Sequence, residues 1–127
     1  MEVIFNKGIP GFEDIKEYKL QILELNPLFW ELTAKKDNQI GFITISPFEV
    51  DNKYEINLPD NVINELKIIK AESVMILNIL TFGVDIKNTT VNLKAPVIIN
   101  IDNGLGKQII LEDETYKIKT PLLRSEE

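Results

Sequence analysis

Apolar and polar residues alternate with a period of two along most of the chain, and this predicts short β-strands rather than helices. Tyr54-Glu55-Ile56-Asn57-Leu58 and Tyr116-Lys117-Ile118-Lys119 alternate cleanly. In the run from Tyr18 to Ile22, Tyr18, Leu20 and Ile22 take one face while Lys19 and Gln21 take the other. Between Gly41 and Ser46, Ile43 and Ile45 stand opposite Thr44 and Ser46. Val74 to Leu80 (VMILNIL) is apolar on both faces, as a strand covered on both sides would be. Breaks recur at Gly8 to Asp14, Asn26-Pro27, Lys35 to Asn38, Ser46-Pro47, Leu58 to Asp60, Phe82-Gly83 and Asp102 to Gly106. Punctuation this frequent predicts a mainly β, small, single-domain β-barrel-like fold of short antiparallel strands. Asp60 to Lys67 (DNVINELK) departs from the pattern: Val62, Ile63 and Leu66 share a helical face, so one short helix is expected, with Asp60 as its N-cap.

Near the C-terminal end, Gly104-Leu105-Gly106-Lys107 invites a phosphate-binding reading. A P-loop needs G-x-x-x-x-G-K-[ST] with a helix beginning directly after it. Here Lys107 is followed by Gln108, and Ile109-Ile110-Leu111 reads as strand, so no helix N-terminus is offered to an anion. A dinucleotide fingerprint fails for want of a third glycine and a crossover helix. What remains is a strand from Val97 to Ile101, a turn at Asp102-Asn103-Gly104 and a second strand from Lys107 to Leu111. Asn-Gly between two apolar runs is a strong hairpin signal.

Composition narrows the chemistry. The 127 residues, 44% of them hydrophobic, are enough to fill one core without metal or disulfide. One domain over residues 1–127 is expected, with Arg124 to Glu127 loose. Cysteine and histidine are both absent, which removes disulfides, thiolate metal sites, the commonest general base and the commonest zinc ligand. Ser46, Ser73 and Ser125 have no histidine base and no nucleophile-elbow setting. The Asp102-Asn103 turn lacks the other ligands of a calcium loop. Neither an enzyme nor a cofactor site is expected. Twenty acidic against 14 basic residues give a net charge of −6, which disfavours direct nucleic-acid binding; on charge alone it serves solubility before it favours a basic protein partner. The N-terminus has no signal-peptide pattern, and Val74 to Leu80 is too short to span a bilayer, so a cytoplasmic protein without a membrane partner is expected.

Three surface features stand out. Gly8-Ile9-Pro10-Gly11-Phe12-Glu13 is a stiff turn in which Pro10 fixes φ and Gly11 is free to take positive φ; Glu13 and Asp14 are suited to capping it, and Phe12 to plugging a barrel end. Phe29-Trp30 reads as core, with Trp30 the largest single apolar burial. Glu112-Asp113-Glu114 reads as a solvated acidic turn or as one edge of a surface for a basic partner.

Several segments, in order, resemble the family of the flagellar assembly factor FliW. They are Gly8 to Glu13 (GIPGFE), Pro27-Leu28-Phe29-Trp30, Ile40-Gly41-Phe42 ending at Pro47-Phe48, Tyr54, and Leu58-Pro59-Asp60. More specific are Thr90 to Asn100 (TVNLKAPVIIN), similar to a T-x-N-L-x-A-P-I-V-I-N run, and Gly106 to Leu111 (GKQIIL), similar to G-x-Q-V-I-L. Leu32-Thr33-Ala34 and Lys119-Thr120-Pro121 depart from the family's frequent Leu-Gln-Ser and Arg-His-Pro. The resemblance implies a non-enzymatic β-barrel-like protein with two mutually exclusive partners, flagellin and the translational repressor CsrA. When flagellin is exported, the freed protein would bind CsrA and relieve repression of flagellin mRNA.

The candidate partner-binding residues are Phe12 and Glu13 in the stiff turn, Asn92, Asn100 and Gln108 on the most family-like strands, and Glu112, Asp113 and Glu114 in the acidic cluster. For Asn92, Asn100 and Gln108, cross-strand pairing within the sheet is an equal alternative. A small-molecule-binding barrel is the competing functional class, and it requires an interior cavity rather than a filled core.

Overall fold

The computed structural model describes residues 1–123; the segment Arg124 to Glu127, expected to be loose, lies outside the described residues. The strands are β1 (Glu2–Ile4), β2 (Glu17–Ile22), β3 (Phe29–Ala34), β4 (Gly41–Ile45), β5 (Val74–Thr81), β6 (Thr90–Val91), β7 (Val97–Asn100), β8 (Leu105–Gln108) and β9 (Thr120–Pro121), with one α-helix, α1 (Asp60–Glu65). The strand order is β4-β3-β2-β1-β8-β7-β5-β6-β9, and β5 also pairs back onto β4, so seven strands close into a barrel. β5 makes the closure by dividing its length. Val74 to Leu77 pair with β7, Asn78 and Ile79 with β4, and Leu80 and Thr81 with β6. The mainly β barrel with one short helix is as the sequence pattern predicts. One junction is not antiparallel: β1 meets β8 in parallel through the single pair Ile4 and Leu105.

The barrel interior is filled by side chains. Val3, Phe5, Tyr18, Leu20, Leu32, Leu77, Val97 and Ile99 form one buried cluster, and each fully buried large apolar side chain contributes roughly 1.5–3 kcal/mol. Tyr18 and Phe5 are its largest members, with rings edge to face at 5.3 Å. Trp30, expected as the largest burial, is only half-buried and packs on the margin of this cluster. A second layer covers the outside of one half of the barrel. Ile45 and Leu80 pack outward beneath Tyr54 and Tyr116, while Ile98 packs beneath Val62 and Leu66 of the helical segment. This covering explains why VMILNIL is apolar on both faces.

Two predicted strands are absent. Tyr54 to Leu58 keeps its alternation of burial, because Tyr54, Ile56 and Leu58 face the outer layer, but its main chain joins no ladder. It is held instead by side chains: the Tyr54 hydroxyl donates to the Leu93 carbonyl at 2.7 Å, and the Tyr116 hydroxyl accepts from the Glu55 N–H at 2.9 Å. Burial pushes the Tyr54 phenol up to about 12. Tyr116 to Lys119 is likewise no strand, and only Tyr116 of that run is buried.

The Asp102-Asn103-Gly104 turn forms as predicted, with Gly104 at φ +78 and its N–H bonded to the Asn100 carbonyl at 2.8 Å. The strand after it occupies Leu105–Gln108 rather than Lys107 to Leu111. Hydrogen bonds nevertheless continue beyond it, from Ile109 N–H to Pro96 O and from Leu111 N–H to Lys94 O. Pro96 has no N–H to return, so regular pairing stops there. The Lys107 ammonium lies 3.1 Å from the Glu65 carboxylate.

Helix α1 begins one residue earlier in role than predicted. Pro59 is its N-cap, and the Pro59 carbonyl accepts from Val62 and Ile63. Asp60 therefore sits in the first turn, where its charge favours the positive end of the helix dipole. The other end is clipped to the β7–β8 hairpin. The Asn100 amide donates to the Leu66 and Lys67 carbonyls at 2.9 and 3.1 Å, and the Asn103 amide to Leu66 O at 3.0 Å. Lys67 then leaves the helix at φ +54. Among the described residues, no helix is long and apolar enough to cross a membrane.

Asn100→Ala leaves the Lys67 carbonyl and the Asp102 N–H without their side-chain partner, while Leu66 O keeps the Asn103 amide, and is expected to cost about 1–3 kcal/mol, measured by denaturant unfolding. Lys7 and Lys107 bracket Glu65 and hold its carboxyl below the ordinary value of 4.5. The stabilisation from this ion pair is therefore present above pH 4.5 and lost as pH falls through the depressed value. Thermal melts between pH 7 and pH 3 are expected to show Glu65→Gln losing part of the wild-type decline on acidification.

Candidate partner-binding surface

The motifs singled out in the sequence meet at one groove. Pro10 from the stiff turn, Asn92, Lys94 and Ala95 from the segment before β7, Gln108 and Ile110 from the end of β8, and Ile118 line a surface depression of about 300 Å³. Ile110 and Ile118 are 74% and 59% exposed, an unusual state for two isoleucines on one depression.

The polar residues in this groove are held by the protein itself. The Asn92 side-chain oxygen accepts from the Ala95 N–H at 3.0 Å, and the Asn92 carbonyl accepts from the Asn78 amide at 2.8 Å. The Gln108 amide donates to the Ala95 carbonyl at 3.0 Å. Asn92 and Gln108 thus fasten both polar groups of Ala95, immediately before Pro96 interrupts the ladder. Asn100 lies elsewhere, beneath the helix, where it is 2% exposed.

Phe12 and Glu13 belong to the turn that supplies Pro10. Phe12 is partly exposed and packs edge to face on Phe42 at 5.4 Å. The Glu13 carboxylate accepts from the Gly11 N–H at 3.1 Å, and this bond holds its carboxyl below the usual carboxylate range. Glu13 caps the turn as expected. Gly11 takes φ +91, and Gly8 takes φ +68 where a Cβ would lie 2.5 Å from the Glu13 Cα. The loop therefore has one compact shape that only these glycines permit.

Glu112, Asp113 and Glu114 are all exposed and follow directly from the groove-lining run. The Lys94 ammonium donates to the Asp113 carbonyl at 3.3 Å, which ties the acidic turn to the groove's rim. Asp113 also accepts from the Thr115 N–H at 2.8 Å, and this bond lowers its carboxyl below the usual range. Asn92 and Gln108 line the groove, Phe12 and Glu13 belong to the turn that supplies Pro10, Asp113 is joined to the rim through Lys94, and Asn100 lies apart. The sequence pattern did not point to Pro10, Lys94, Ile110 or Ile118 as surface residues. The available signal was the unbroken apolar run Ile109-Ile110-Leu111, in which a strand with one buried face must turn one side chain outward.

Comparison with known proteins concerns the whole of this arrangement. The family model for FliW protein matches residues 2–122. The flagellar assembly factor FliW of Clostridioides difficile (strain 630) is 44% identical over 126 residues, covering 99% of this chain and 97% of that protein. That of Clostridium novyi (strain NT) is 46% identical over 120 residues, covering 94% and 84%. A crystal structure of the flagellar assembly factor FliW superposes with a TM-score of 0.91 at 37% identity, covering 98% of this chain and 86% of that one.

Asn92→Ala leaves the Ala95 N–H without its acceptor and is expected to lower stability by about 1–3 kcal/mol. Glu112→Gln and Glu114→Gln are expected to stay within about 0.5 kcal/mol of wild type, as exposed charges without structural bonds. Urea midpoints for the three variants check both statements.

Proposed function

The chain belongs to the FliW family, and on that premise we propose that it is a non-enzymatic cytoplasmic assembly factor that binds flagellin and, when free, binds and antagonises the translational repressor CsrA. The observation that carries this reading is relatedness over nearly the full length to proteins described as flagellar assembly factors. The mechanism is competition between two binding equilibria. Flagellin retained in the cell occupies the protein; exported flagellin releases it to CsrA, and flagellin synthesis resumes. Such a switch needs no catalytic step, only affinities that exclude one another.

The surface chemistry supports CsrA as one partner. An RNA-binding repressor carries basic surface, and the net charge of −6 steers association with it. Glu112, Asp113 and Glu114, exposed at the groove, would concentrate that field and repel an RNA backbone approaching the complex. Phe12, with Asn92 and Gln108 holding the groove's shape, would supply the contact surface beside them. The competing class, a barrel holding a small molecule, gains no support from an interior occupied by Phe5, Tyr18, Leu20 and Leu32.

Titration calorimetry with CsrA is expected to show binding that prior saturation with flagellin abolishes. Binding to neither protein would overturn the reading. Reversing all three acids to lysine is expected to weaken CsrA binding at least about tenfold, or 1.4 kcal/mol. Unchanged affinity and unchanged RNA release in that variant would remove the acidic turn from the account.

A further inference from the structure

The barrel is closed, yet one stretch of its wall has a bare edge. In the β7–β8 ladder, Ile109 and Leu111 direct their N–H groups to Pro96 and Lys94. Gln108 stands opposite Val97 between those bonded pairs, so its N–H and C=O point away from β7. Ile110 follows the same alternation, and neither its N–H nor its C=O makes a hydrogen bond among the described residues. On that side β1 offers a partner only as far as Leu105: Phe5 N–H continues the pairing with the β2 side by bonding to Lys16 O, and the chain then turns at Asn6 and Lys7, where Gly8 N–H bonds back to the Phe5 carbonyl. Four main-chain groups, two donors and two acceptors, therefore face outward in strand spacing beside the groove lined by Pro10 and Ile110.

The geometry points to this edge, residues 106–110, as a docking site for an extended segment of a partner protein, which adds a strand to the barrel wall and sets alternate apolar side chains against Ile110 and Pro10. Free edges of this kind bind by main-chain hydrogen bonds, with neighbouring pockets selecting side chains. Charge selects the partner's composition. The edge runs directly into Glu112, Asp113 and Glu114, and the loop supplying Pro10 carries Glu13 and Asp14. Lys94 is the cation at this rim, while Lys117 lies across residues 92–95, where its carbonyl accepts from the Leu93 N–H. The segment that fits is apolar and basic in alternation. The edge follows from geometry alone; only its assignment to CsrA or flagellin rests on the proposed function.

A short capped peptide of alternating valine and lysine is the direct probe. It is expected to bind, to slow amide exchange at Gln108 and Ile110, and to outcompete its valine–glutamate counterpart at least tenfold. Ile110→Pro removes only an unbonded N–H, in an edge position that tolerates proline, and is expected to lower peptide affinity at least tenfold while Ile110→Ala lowers it less. Peptide N-methylated on the bonding face makes the same test from the ligand side, should the proline variant fold poorly. No binding of the valine–lysine peptide, wild-type affinity in Ile110→Pro, or protection confined to other residues would each overturn the proposal. CsrA or flagellin binding Ile110→Pro at full affinity would overturn the edge while leaving the family-based partners standing. Peptide capture with neither protein bound would do the reverse.

Discussion

A ring of seven strands cannot alternate in direction all the way round. Six junctions of this barrel are antiparallel, and the seventh, between β1 and β8, has to be parallel. That junction is short because β1 is only three residues long, and it is tight because two glycines face it. Ile4 N–H bonds to the Gly104 carbonyl at 2.8 Å, and a Cβ on Gly104 would lie 2.7 Å from the Glu2 carbonyl. A Cβ on Gly106 would press within 3 Å of Phe5 and Val3, the side chains that fill the interior at this point. The G-x-G that looked like a phosphate loop is the seam along which the barrel closes.

Much of the rest follows from that seam. Because β1 ends so soon, β8 and its extension keep a bare edge on one side while bonding β7 on the other. Because β7 is thus a central strand, both its faces are buried: Val97 and Ile99 look into the barrel, and Ile98 and Asn100 look toward the helical layer. The hairpin that closes the barrel also holds the helix, through Asn100, Asn103 and Lys107. Stability and surface therefore share one element. The groove opens where Pro96 ends regular pairing, and Asn92 and Gln108 beside it hold its shape through their bonds to Ala95.

The period-two pattern revealed the barrel, and it failed where alternation had another cause. Tyr54 to Leu58 alternates because it lies across an outer hydrophobic layer, not because it pairs, and nothing local separates those two situations. Trp30 looked like the core residue by size, but the interior was already taken by Phe5 and Tyr18, a matter of long-range packing. The helix cap falls at Pro59 rather than Asp60 because Pro59 supplies both the extended entry and the first carbonyl acceptor. Of the candidate site, the stiff turn and the acidic triplet were legible as surface features. The grouping of Pro10 with Gln108 and Ile110 was not, because it depends on a parallel junction between segments about a hundred residues apart.

Residue-resolved amide hydrogen exchange on the free protein tests the closed-barrel account with its bare edge most directly. Slow exchange at Ile4, Ile109 and Leu111 with fast exchange at Gln108 and Ile110 is the predicted pattern, since only the first three donate to main-chain carbonyls. Uniform protection from residue 106 to 111 would mean that another segment already covers the edge, and fast exchange at Ile4 would mean that the seam is open.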